Sequence, residues 1–113
     1  MRVLLAALAL AFGAHAAAAQ MCAPADAVMA MVRAHPAYAS HQVATAQETK
    51  AAADIFNATP PESAVAWSVA ILVSFRDGSG GLLVGNGGEI CGSLGFTPAT
   101  WPAFLRTVRG DGA

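Results

Sequence analysis

The sequence predicts a small α+β domain: a three- or four-stranded antiparallel meander with helices packed on one face, stapled by one disulfide. Three observations carry this prediction. The hydrophobic period changes from helical to two at Val65. Asp77-Gly78 and Asn86-Gly87 punctuate the apolar run that follows, and such dipeptides favour the tight turns of hairpins. Two cysteines, Cys22 and Cys91, follow a leader of the exported type.

Residues 1–20 (MRVLLAALALAFGAHAAAAQ) begin with a positive charge at Arg2, continue apolar from Val3 to Phe12 and end in small residues. This is the three-part layout of a secretory signal peptide, with cleavage after Ala17, Ala19 or Gln20. An apolar run of about ten residues falls short of the roughly 20 that span a bilayer, so no stable membrane span is expected after cleavage. Met21 is not the small residue that normally precedes a lipid-modified cysteine, which argues against lipid attachment at Cys22. The organisation expected is a signal peptide over 1–20 and one small domain over 21–113, located in the periplasm or secreted.

Export places the chain in an oxidising compartment, and an even cysteine count suits one disulfide between Cys22 and Cys91. Closing so long a loop stabilises a domain by about 4 kcal/mol in the chain-entropy model. For a domain of this size, which buries only about two-thirds of its surface, that is a large share of the total.

The elements follow in order. APADAVMAMVRAHPAY reads as a short helix: Pro24 suits its first turn, Asp26 complements its dipole, Val28, Met29, Met31 and Val32 form an apolar stripe, and Pro36 ends it. SHQVAT reads as a short strand or extended link over 41–44. Thr45 and Glu48 form a capping box, and the helix it opens must stop before Pro60 and Pro61. Val65, Trp67, Val69, Ile71, Val73 and Phe75 then alternate with mostly small or polar residues, predicting a long strand with one buried face. Turns at DGSG and NGG divide the meander over 65–95. A last helix is expected over about 98–109, with Thr97 as cap, Trp101, Phe104, Leu105 and Val108 on one side and Gly110 as the stop.

Composition and motifs exclude several chemistries. The net charge is −1 and neither sign is clustered, so the concentrated positive charge that nucleic-acid binding requires is missing. The glycine run 78–96 matches the spacing of a phosphate loop from Gly80 to Gly85, yet Asn86 and Gly87 stand where lysine and a hydroxyl residue must hold phosphate and magnesium. His35 and His41 flank Pro36 at a spacing that fits no metal pair, and no serine sits in a nucleophile elbow. No catalytic residue, cofactor or metal is therefore assigned.

Two features point to binding. Trp67 reads as a core pillar from its place on the apolar strand face, whereas Trp101, at a helix entrance, stands open between core and contact anchor. The meander also leaves a sheet edge free to pair with a protein partner or with a second copy as a homodimer. The leading expectation is a non-catalytic exported module that binds a partner or small ligand through a sheet edge or face. One alternative is a small periplasmic hydrolase whose site assembles only in the fold, from His35 or His41 with Ser79, Asp77 or Glu89. Another is an envelope structural or stress-related protein.

Overall fold

A computed structural model describes residues 21–58 and 66–110. The elements run β1 (Ala23–Pro24), α1 (Ala25–Arg33), β2 (Tyr38–Val43), α2 (Ala46–Ala58), β3 (Val69–Phe75), β4 (Gly80–Asn86), β5 (Glu89–Phe96) and α3 (Trp101–Arg109). The signal peptide expected over 1–20 lies outside the described residues, as does Val65. The five strands form one antiparallel sheet in the order β1-β5-β4-β3-β2. The class is α+β, and the meander β3-β4-β5 lies at its centre.

The sheet has two more strands than the meander alone, one added at each side. Tyr38–Val43 pairs with β3, so the segment read as a strand or link over 41–44 is a six-residue strand that begins three residues earlier. Ala23 and Pro24 pair with Ile90 and Glu89, drawn there by the bond between Cys22 and Cys91. These cysteines lie opposite one another in the same register, with Cα atoms 4.1 Å apart, as expected for a non-hydrogen-bonded pair.

Helices cover both faces of the sheet, not one. Ala70, Leu72, Leu82 and Val84 pack under Ala52 of α2 and under Trp101, Phe104 and Val108 of α3. On the opposite face Ile71, Val73 and Ile90 pack against Val28 and Met29 of α1. The centre of β3 is consequently buried on both sides, from Ala70 through Val73. The alternation in the sequence is real, but Leu72 and Ala70 are small or apolar enough to serve a second core. Doubly covered strands read as continuous apolar runs for this reason.

Local chemistry explains the boundaries. Thr45 Oγ1 accepts from the Glu48 amide at 3.1 Å while Glu48 Oε1 accepts from the Thr45 amide at 2.9 Å, the reciprocal capping box that starts α2. The Asp77-Gly78 turn is a three-residue loop with its positive φ (95°) on Gly78; in the second turn it falls on Gly87 (61°), the first central position. Residues 98–100 form a turn rather than helix: Thr97 Oγ1 accepts from the Thr100 amide at 3.1 Å, and α3 begins at Trp101. Gly110, with φ of 77°, ends it in the left-handed conformation.

Candidate partner-binding edge

The glycine run that might have held phosphate is packing and turn chemistry. A Cβ at Gly80 would overlap the indole of Trp101, and one at Gly85 would overlap the Glu89 carbonyl, where β4 and β5 slip register between Val84 and Gly85. Gly92 similarly leaves room for the ring of Phe56.

Trp101 is 4% exposed, so of the two roles left open for it the buried one fits. Its ring packs with Phe96 and Phe104 at centroid distances of 5.4 and 5.5 Å, and Nε1 donates to Ser74 Oγ at 3.3 Å. It is a core pillar seated over Gly80. Trp67 does join a core, but on the face opposite to the one its alternation predicted. It precedes β3, stands edge-on to Phe56 at 5.8 Å and donates from Nε1 to Asn57 Oδ1 at 3.0 Å. Strand parity does not extend back to a residue outside the strand. A shallow groove beside it is lined by Thr49, Lys50, Asp54, Asn57 and Trp67.

The residues named for a hydrolase site take other partners. Ser79 Oγ donates to Asp77 Oδ1 at 2.6 Å and the Ser79 amide donates to the same oxygen at 2.9 Å. These two bonds hold the Asp77 carboxyl below the usual carboxylate range, with a smaller attraction from His35. His35 Nδ1 accepts from the Ala37 amide at 3.0 Å, and its ring tilts over Phe75 at 5.0 Å. His41 Nδ1 pairs with the Tyr38 hydroxyl at 2.7 Å. Serine, carboxylate and imidazole are thus not linked in a relay, and Glu89 lies at the far side of the sheet, in β5 beside Pro24. Among the described residues no group of three or more His, Cys, Asp or Glu side chains converges as a metal site.

The remaining candidate is a sheet edge, and β2 is the longer of the two strands that end the sheet. The Ala44 amide donates to the Ala70 carbonyl at 2.9 Å, in register with the pairs Gln42 to Leu72 and Ser40 to Ser74. Hydrogen-bonded pairs alternate along an antiparallel ladder, so the backbone groups of Gln42 and Ser40 face β3 while those of His41 and Val43 face away from the sheet. The side chains alternate as well. His41 and Val43 share the α1 face with Val73 and Ile71, whereas Gln42 shares the α3 face with Leu72.

Nature usually blunts such an edge with charge or proline, and β2 (YASHQV) contains no Lys, Arg, Asp, Glu or Pro. Its irregularity is a register shift between Tyr38 and Ser40, at the end away from Val43. Val43 is 62% exposed, one of two large apolar side chains so exposed among the described residues. Arg109 of α3 donates to Gln42 Oε1 at 2.9 Å, which brings the helix end alongside the strand. Sequence reading missed the length of β2 because Ser40 and Gln42, whose backbones pair with β3, carry exposed polar side chains, so no apolar alternation marks the strand.

Comparison with protein-family models, with curated proteins and with solved structures finds no match.

Proposed function

We propose that this chain is an exported, non-catalytic interaction module that takes up an extended segment of a partner along the β2 edge. The observation that carries the reading is the pair of outward-facing backbone amides at His41 and Val43 on an uncharged edge strand. A strand added there would gain main-chain hydrogen bonds without any rearrangement of the sheet. Export is supported by the bond between Cys22 and Cys91, which persists in oxidising compartments, and by the leader-like residues 1–20. No described helix is long and apolar enough to cross a membrane.

The test is affinity capture from the native envelope fraction with the wild-type chain and with Val43→Pro side by side. Proline at 43 removes an outward N–H and leaves the ladder to β3 intact, a position where edge strands tolerate it. A reproducible partner held by the wild type and lost from a folded Val43→Pro variant supports the edge. Equal capture by both proteins would place the contact elsewhere.

A further inference from the structure

The β2 edge has a polarity that names its partner. Arg109 is anchored beside it through Gln42, and Arg106, three residues earlier, lies on the same side of α3. Both are exposed, and neither makes an ion pair among the described residues, where Lys50 pairs with Asp54. Asp77 and Glu48, the acids closest in sequence to the two ends of the β2–β3 ladder, are occupied by Ser79 and by the capping box respectively. The α3 side of the edge therefore presents two guanidinium groups with no acidic partner among the described residues, next to outward-facing backbone donors and acceptors. The α1 side presents the exposed methyl groups of Val43 and the half-buried His41.

From this arrangement we infer that the occupant is an extended acidic segment of another protein, with carboxylates alternating with β-branched or apolar residues. This rests on the proposed role of β2 as the binding edge. Added as a sixth strand, such a segment hydrogen-bonds His41 and Val43 through its backbone. Because strand side chains alternate with a period of two, its carboxylates fall on the α3 side, toward Arg109 and Arg106, and its β-branched residues fall over Val43. Guanidinium forks match carboxylates in two parallel hydrogen bonds, which favours an acidic partner over a merely polar one. A second copy of this chain fits less well. A two-fold antiparallel β2 pair keeps equivalent faces on the same side, so Arg106 and Arg109 of the two copies would approach one another.

The experiment uses the oxidised chain from residue 21 onward and a short peptide alternating threonine and glutamate, with glutamine and lysine versions for comparison. Binding is followed by fluorescence anisotropy, and the site by amide exchange at His41 and Val43. The inference expects the glutamate peptide to bind best, to slow exchange at both amides and to weaken as salt rises. Arg106→Gln with Arg109→Gln should weaken it about five- to tenfold, since each exposed ion pair contributes modestly. If the glutamine peptide protects the same amides with equal affinity, the acidic partner is overturned while the edge stands. Protection that grows with protein concentration and needs no peptide would overturn it in favour of a second copy. Should no peptide slow exchange at His41 or Val43 and no self-association do so, both the acidic partner and the edge reading fall.

Discussion

The two sides of the sheet are finished in different ways. On one side β1 is only two residues long, and its pairing with β5 is secured by the covalent bond from Cys22 to Cys91. On the other, β2 contributes six residues held by an ordinary ladder, with one side-chain contact from Arg109 to Gln42 at its margin. A two-residue strand has too few hydrogen bonds to stay docked unaided, so the covalent tie does what length does for β2. The longer strand in turn spends half of its backbone groups on β3 and presents the rest outward. The covalent tie lies at the first side, and the outward-facing backbone groups of His41 and Val43 lie at the second.

The largest test removes the tie. Replacing Cys22 and Cys91 together by serine should lower stability by about 4 kcal/mol, read from denaturant midpoints, because the 69-residue separation makes the unfolded loop entropically costly to close. A loss well below 1 kcal/mol would show that β1 docks without it.

Next in size is a pair of proline substitutions in β2. Gln42→Pro removes an amide that faces β3 and the acceptor for Arg109, and should cost about 1–3 kcal/mol. Val43→Pro should leave the thermal midpoint nearly unchanged, because its amide faces away from β3. Equal destabilisation by the two would mean that the alternation assigned to β2 is wrong.

A smaller effect is expected from Thr45→Ala, which opens the capping box just after β2 and should cost about 1 kcal/mol in a chemical melt. An unchanged midpoint would show that the cap adds nothing to the link between β2 and α2.

The smallest concerns Asp77, in the turn between β3 and β4 and on neither edge. Its carboxyl is held below the ordinary range by Ser79, so its contribution is present above the unfolded-state value and lost as pH falls through the folded one. The difference in thermal midpoint between wild type and Asp77→Asn should therefore exist at neutral pH and shrink in strong acid. A difference constant across that range would contradict the assignment.

What the sequence made legible follows the range of the interactions. The capping box at Thr45 and Glu48, the turns at Gly78 and Gly87 and the stop at Gly110 depend on neighbours within a few residues, and each is found where the local chemistry puts it. The pairing of Cys22 with Cys91 was also readable, since a single disulfide between two cysteines leaves one choice. Contacts between distant segments were not. Gly80 is a glycine because Trp101 lies against it, 21 positions on, and nothing near Gly80 announces that ring. The second core, beneath α2 and α3, was hidden because Ala70 and Leu72 look like the weak face of a half-exposed strand. The candidate edge was the least legible part: YASHQV carries no apolar alternation, and its identity as a strand depends on β3 being beside it.

The central claim, that β2 is an uncovered edge whose outward amides are His41 and Val43, is tested most directly by residue-resolved amide exchange in the isolated, oxidised domain. The account predicts fast exchange at His41 and Val43 alternating with protection at Gln42 and Ala44. Uniform protection along 41–44, or the opposite alternation, would contradict it.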